Sequence, residues 1–174
     1  VGATLANLLG GYGIKTIILE KNSSAHQLPR AVMFDDEVMR VFQSLKLSKI
    51  MTDITEVGGG AKFVDVDGNV LVDWRRPRDL SPNGWFINYR FHQPDLEKAL
   101  RDQLNNHKTV EILWNAEVTA LKQNDQGVRV SYSDQSSGKK RAIDVAYIVG
   151  CDGSRSFVRR CIGASVEDLG FHEP

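Results

Sequence analysis

Cysteine is scarce in this sequence. Only Cys151 and Cys161 occur, too few for a disulfide framework and without the paired spacing of a zinc site. That usage suits a reducing compartment, and the cytoplasm is the expected location. An excess of one charge is also missing: Lys plus Arg and Asp plus Glu number 22 each, so no net field favours nucleic acid or an anionic membrane. No apolar run approaches the roughly 20 residues needed to span a bilayer, and nothing at the start reads as a secretory leader. Repeats and low-complexity tracts are absent. The four histidines, His26, His92, His107 and His172, have neither metal spacing nor a serine or cysteine partner in a triad motif, so no metal site is expected and they read as surface or packing residues. What remains is an ordinary globular chain of 174 residues, 41% hydrophobic and 25% charged, long enough for one domain with a core. It enters helical periodicity at Val1 with no initiator Met, from which a lost beginning is expected.

Val1, Leu5, Leu8 and Leu9 share a helical stripe, and Gly10-Gly11-Tyr12-Gly13 supplies a stop. Ile14 to Leu19, ending in Glu20, reads as a strand buried on both faces of a parallel sheet. Asn22 to Pro29 is a polar loop. Asp35 can then cap a helix running to about Lys46, with Val38, Val41, Phe42 and Leu45 inward. Ala61 to Val66, Asp67-Gly68-Asn69 and Val70 to Trp74 predict a β-hairpin, followed by loop. Gln93-Pro94-Asp95-Leu96 opens a second helix with Leu96, Ala99, Leu100 and Leu104 inward, ending near Asn105. Val110 to Trp114 is a short apolar strand. Glu117 to Lys122, Val128 to Tyr132 and Arg141 to Val145 predict a three-stranded meander. Ala146 to Val149 then reads as a strand leading through Gly150-Cys151-Asp152-Gly153 into a helix from about Ser154 to Ile162. Cys161 is placed in the core beside Phe157, Val158 and Ile162, and Cys151 is read the same way.

Two strand-turn-helix junctions could carry chemistry. Free backbone NH groups and the helix dipole make a helix N-terminus a pyrophosphate site. Gly2 stands where the third glycine of a GxGxxG fingerprint would fall. Glu20 follows 18 residues later, near the roughly 20 expected for the acid that binds a ribose hydroxyl pair, and Lys21 adjoins it. Helix packing plus a solvated Glu is the alternative for these residues. At the second junction Gly153 permits a sharp turn, and Asp152 can accept hydrogen bonds from sugar hydroxyls or cap the helix that follows. Arg75, Arg76 and Arg78 could meet a phosphate or carboxylate, although such Pro-containing basic loops are usually solvated.

Val149-Gly150-Cys151-Asp152-Gly153-Ser154-Arg155-Ser156-Phe157-Val158-Arg159-Arg160 closely resembles the Asp-Gly motif of flavoprotein aromatic hydroxylases. Leu28-Pro29-Arg30-Ala31-Val32, followed by Asp35-Asp36-Glu37, is similar to that family's Pro-Arg-Ala segment. Arg90-Phe91-His92-Gln93-Pro94-Asp95-Leu96-Glu97 looks like its helix with a first-turn Gln. With the partial fingerprint, these stretches run in family order over almost the whole chain. The resemblance is to the group A flavin monooxygenases, of para-hydroxybenzoate hydroxylase fold, and most of all to 3-(3-hydroxyphenyl)propionate hydroxylases.

The resemblance implies a Rossmann-like α/β FAD-binding domain, with a parallel sheet and a β-meander, into which part of a β-rich substrate domain is inserted. Residues 1-56 and 91-163 would form the FAD-binding domain without its leading strand. Residues 57-90 would belong to the substrate domain, and 164-174 would begin its truncated continuation. Gly2, Glu20, Lys21, Arg30, Gln93, Asp152 and Gly153 would bind FAD, with Arg30 contacting the cofactor and Gln93 reaching the flavin side. An exposed ion pair and a plain helix start are the alternatives for these last two. The expected activity is hydroxylation of a small phenolic substrate at the expense of O2 and NADH or NADPH, with no catalytic base visible here and a homo-oligomer left open. The chain lacks the first two fingerprint glycines and a later Gly-Asp motif, so alone it should not work as an enzyme. A nicotinamide-dependent dehydrogenase would share Gly2 and Glu20 but has no reason to carry Cys151-Asp152-Gly153 after a meander. A non-catalytic nucleotide-binding module is the other rival.

Overall fold

The structure is a computed structural model that describes residues 1–24 and 30–171. His26, Leu28, Pro29 and His172 lie outside the described residues. In chain order the elements are α1 (Gly2–Gly11), β1 (Thr16–Glu20), β2 (Met33–Phe34), α2 (Asp36–Ser44), α3 (Ser48–Asp53), β3 (Thr55–Val57), β4 (Gly60–Val64), β5 (Val70–Arg75), β6 (Tyr89–Phe91), α4 (Gln93–Leu104), β7 (Val110–Trp114), β8 (Ala116–Asn124), β9 (Gly127–Asp134), β10 (Lys140–Val145) and α5 (Phe157–Cys161). The chain gathers into two compact units. One comprises Val1–Gly2, Ile17–Ser23 and Ile112–Pro174, the other Ala3–Thr16 and Ser24–Glu111. The class is the mixed α/β one expected, with a β1-β7 pair and a three-stranded meander.

The β1-β7 pair is parallel. Thr16 donates its backbone NH to Thr109 and Asn115 donates its own to Asn22, so residue numbers rise together along both strands. All five residues of β1 are half-buried rather than enclosed on both faces, which corrects the expectation. The meander runs in the order β10-β9-β8, antiparallel throughout, with a bulge between Val118 and Ala120. Its central strand turns Val130 and Tyr132 inward two residues apart, the period of a strand with one covered face.

The turn from β9 to β10 is knotted by Asp134, which accepts hydrogen bonds from the hydroxyls and backbone NH groups of Ser136 and Ser137. The two serine hydroxyls are the main cause of its carboxyl pKa falling to about 2. A depressed carboxylate adds stability that is fully present above its unfolded value near 3.8 and disappears as pH falls through about 2. An NMR carboxyl titration should therefore give Asp134 a midpoint near 2. A midpoint near 3.8 would mean the turn does not hold the carboxylate.

The segment after β10 departs from expectation. Residues 146–149 are not a strand, because none of the described residues pairs with them, and Tyr147 and Val149 are 88% and 63% exposed. The helix that follows is the five-residue α5, with no fully buried residue. Cys151 and Cys161 are accordingly exposed thiols rather than core residues. A single turn and a half offers too little apolar face to bury Cys161 or Ile162.

The other unit holds the larger core, in which Met39, Phe42, Leu45, Leu47, Met51, Tyr89, Ala99 and Leu100 form one buried cluster. Asp35 caps α2 as expected, accepting from the Val38 NH. The inward stripe, however, is centred on Met39 and Phe42, while Val38 is exposed. In α4 the prediction holds, with Ala99, Leu100 and Leu104 buried and Leu96 packed against the cluster. The hairpin of β4 and β5 also forms as read, its turn tied by Asp65 to the backbone of Asp67 and Asn69.

Two features of this unit were not anticipated. The six-residue α3 is too short to show a period, and the sheet β2-β6-β3 joins strands of two or three residues that are distant in sequence. The buried face of α1 differs too. Ala6 and Asn7 are its buried residues, whereas Val1 is exposed and Leu5, Leu8 and Leu9 are half-buried. The Asn7 amide donates to Leu100 of α4 and to Ala3, so a small polar residue makes the hydrogen-bonded helix contact while Leu8 packs against the buried cluster. No helix among the described residues is long and apolar enough to cross a membrane.

Candidate functional site

α1 begins at Gly2 and has no acidic side chain in its first turn, which leaves the helix N-terminus hospitable to an anion. A Cβ on Gly2 would lie 3.4 Å from the Cys151 Cβ, so the start of α1 and the turn 150–153 are neighbours within one unit. Glu20 ends β1 in the same unit, half-buried, and its Oε1 accepts 2.9 Å hydrogen bonds from the backbone NH and side-chain amide of Asn22. Asn22 thereby fixes the carboxylate at the carboxyl end of a parallel strand, where ligands of such sheets bind. Lys21 beside it is exposed.

The turn 150–153 and α5 form one closely knit piece. Gly150 packs so tightly that a Cβ there would come 2.7 Å from the Val158 Cβ, and Gly153 has φ +76°, a backbone that disfavours other residues. The Asp152 Oδ2 accepts from the NH groups of Phe157 at 2.6 Å and Val158 at 3.1 Å, while Oδ1 accepts from the Ser156 hydroxyl. Partial burial alone would raise the Asp152 pKa, but the hydrogen bonds from Ser156, Val158 and Phe157 outweigh it and the net shift is downward. Ser156 in turn caps α5 through the Arg159 NH. Asp152 is thus engaged as a helix cap. Arg159 and Arg160 donate to the carbonyls of Ser154 and Arg155, a bracing role that the motif did not suggest.

In the other unit Arg30 and Ala31 both donate their backbone NH groups to Gln93 Oε1, at 2.6 and 3.0 Å. Gln93 Nε2 donates to Glu97 Oε1 at 2.9 Å. Both ends of the Gln93 amide are engaged by protein groups. The Arg30 side chain is exposed. Arg75 pairs with Asp73, and the Arg76 guanidinium lies 4.1 Å from the Trp74 ring centroid. His92 is exposed and bonded to Asp95, and His107 packs against Gly10. Among the described residues no group of three His, Cys, Asp or Glu side chains is placed to hold a metal.

Comparison with known proteins identifies the family and the fold. A family model described as FAD binding domain matches residues 1–171. The chain is 35% identical to a probable NADH-specific resorcinol 4-hydroxylase of Rhodococcus jostii (strain RHA1), over 99% of this chain and 32% of that protein. It is 32% identical to a 3-(3-hydroxy-phenyl)propionate/3-hydroxycinnamic acid hydroxylase of Paraburkholderia xenovorans (strain LB400), over 96% of this chain and 26% of that one. The crystal structure of p-nitrophenol 4-monooxygenase PnpA from Pseudomonas putida DLL-E4 shares the fold, with a TM-score of 0.81 at 22% identity, over 93% of this chain and 40% of that chain. The sequence therefore spans about a third or less of the length of these curated relatives.

Proposed function

The chain belongs to the FAD binding domain family, and from that premise we propose that it is the FAD-holding part of a monooxygenase that hydroxylates a small phenolic compound with O2 and NADH or NADPH. The observation that carries the reading is the grouping of Gly2, Glu20 and the turn 150–153 in one compact unit. Their chemistry fits a dinucleotide: backbone donors at the start of α1 suit the pyrophosphate, and a fixed carboxylate at Glu20 suits a ribose hydroxyl pair. Lys21 flanks that carboxylate, and Asp152 with Gly153 adds a carboxylate on a sharp turn; in the other unit, Arg30 is proposed by the family resemblance as a further cofactor contact. Gln93 contributes through the backbone it holds. When bound, FAD supplies the redox chemistry, and these residues bind and orient it. We assign no catalytic base to this chain.

Gly2 and Glu20 alone would suit a nicotinamide-dependent dehydrogenase equally well. The Asp152 turn after a meander, with the family match over 1–171, favours the flavin. The names of the relatives support a phenolic substrate, and that of the Rhodococcus protein supports NADH as the electron donor. Residues 57-90 and 164-174 are proposed to serve a β-rich substrate domain. In support, Phe63, Val64, Val70, Leu71, Val72 and Trp74 of the hairpin are all about half exposed or more, an apolar patch suited to further protein. Two free thiols suit the cytoplasm.

Glu20→Gln tests the central assignment. A neutral amide accepts a weaker hydrogen bond from a sugar hydroxyl than a carboxylate does, so FAD binding to the complete enzyme should weaken by about 1 to 2 kcal/mol. Equilibrium titration with FAD reads this directly. An unchanged dissociation constant would leave Glu20 as a residue that only holds Asn22.

A further inference from the structure

We propose that Glu97 is a positioning residue for the backbone of Arg30 and Ala31, and so for the Arg30 cofactor contact, acting through Gln93. The inference rests on the reading of Arg30 as a cofactor contact. A Gln amide has two ends of nearly the same shape and opposite polarity, and the neighbours decide which end points where. Here one neighbour is a pair of backbone NH groups, from Arg30 and Ala31, which need an acceptor. If the amide turned round, its NH2 would face two donors and all three groups would lose their bonds. Glu97 prevents this. As a carboxylate it only accepts, so it takes the Gln93 NH2 and leaves Oε1 turned toward residues 30 and 31.

Glu97 is itself held. Arg101, one helical turn further along α4, approaches its other oxygen, Nη2 to Oε2 at 3.6 Å, and the two side chains are only 27% and 21% exposed. Gln93, Glu97 and Arg101 thus stand four residues apart on one face of α4, the spacing at which helix side chains meet. The backbone explains why this device is needed. β2 pairs with β6 through Met33–Arg90 and Phe34–Tyr89, and Phe91 donates to Val32, after which the chain turns into α4. The ladder has no further strand residue to receive the NH groups of 30 and 31. Gln93 Oε1 takes the place of that missing carbonyl.

The test uses the complete enzyme and two readouts, FAD affinity and amide hydrogen exchange at residues 30 and 31 without cofactor. Glu97→Ala should raise the FAD dissociation constant about tenfold and speed exchange at both amides, as expected for the loss of a charge-assisted hydrogen bond and those it orients. Glu97→Gln keeps an acceptor oxygen but loses the charge and can itself turn, so it should recover both readouts only in part, between Glu97→Ala and wild type. Should Glu97→Ala fail to fold, Gln93→Met removes the acceptor that Glu97 orients and should reproduce both effects. Unchanged exchange and affinity in Glu97→Ala, with Arg30→Ala still weakening FAD, would overturn the proposal and spare the Arg30 reading. Faster exchange with FAD affinity unchanged in both Glu97→Ala and Arg30→Ala would instead overturn the cofactor role of Arg30.

Discussion

Gly10→Ala should destabilise the protein by about 1 to 3 kcal/mol, the usual penalty for forcing an extra methyl into a packed site, whereas Gly11→Ala next to it should not. Replacing an accessible helical glycine by alanine ordinarily stabilises by roughly 0.5 to 1 kcal/mol, because alanine loses less backbone entropy on folding. At Gly11 a Cβ would meet nothing within 4 Å, so that gain is expected there. At Gly10 the Cβ would lie 2.6 Å from the His107 Cγ, 2.8 Å from its Cβ and 2.9 Å from the Val110 Cγ2. His107 is half-buried and Val110 starts β7, so neither can withdraw freely and the helix must shift instead. The overpacking cost is larger than the entropy gain and decides the sign. Since α1 presents its N-terminus to the proposed pyrophosphate site, the shift should also weaken FAD. Chemical denaturation of the two variants beside wild type measures the opposite signs. Equal midpoints for Gly10→Ala and Gly11→Ala would mean that α1 does not bear on His107.

The origin of that contact shows where sequence reading succeeds and where it stops. Periodicity and turn chemistry are local, so the hairpin of β4 and β5, the helix from Gln93 to Leu104 and the meander were all legible. The Asp35 cap was legible for the same reason, since its bond to the Val38 NH spans three residues. Features that need a distant partner were not. The buried face of α1 depends on Leu100 and His107, the β2-β6-β3 sheet on residues 33, 57 and 90, and residues 146–149 fail as a strand because no described residue pairs with them.

The residues of the proposed site could be named from the sequence, but not their bonds. The spacing from Gly2 to Glu20 and the run around Asp152 pointed to the proposed groups, yet neither could say that Asn22 grips Glu20 or that Gln93 faces residues 30 and 31. A side-chain amide reads the same in sequence whichever way it points. Glu97 carried one visible signal, its place four residues after Gln93 on a helix, and the polarity argument becomes available only once both neighbours of the amide are known.

Asp152 carries the second large effect, because its carboxylate holds the Ser156 hydroxyl and the first two NH groups of α5 and is proposed to serve the cofactor as well. In the complete enzyme, Asp152→Ala should lower stability by about 1 to 2 kcal/mol, the usual cost of a lost helix cap, and should impair both FAD retention and reduction by the nicotinamide cofactor. That variant alone does not separate the two roles, since a loosened turn could release FAD indirectly. Asp152→Asn does separate them. The Asn oxygen can still accept from the Phe157 and Val158 NH groups, and its NH2 can donate to the Ser156 hydroxyl, so the cap survives. The negative charge and one acceptor are lost. Thermal unfolding of Asp152→Asn should therefore stay near the wild-type midpoint while stopped-flow reduction of the FAD-saturated variant slows. Normal reduction in Asp152→Asn, together with a lowered midpoint in Asp152→Ala, would reduce Asp152 to the cap of α5 and withdraw it from the proposed cofactor site.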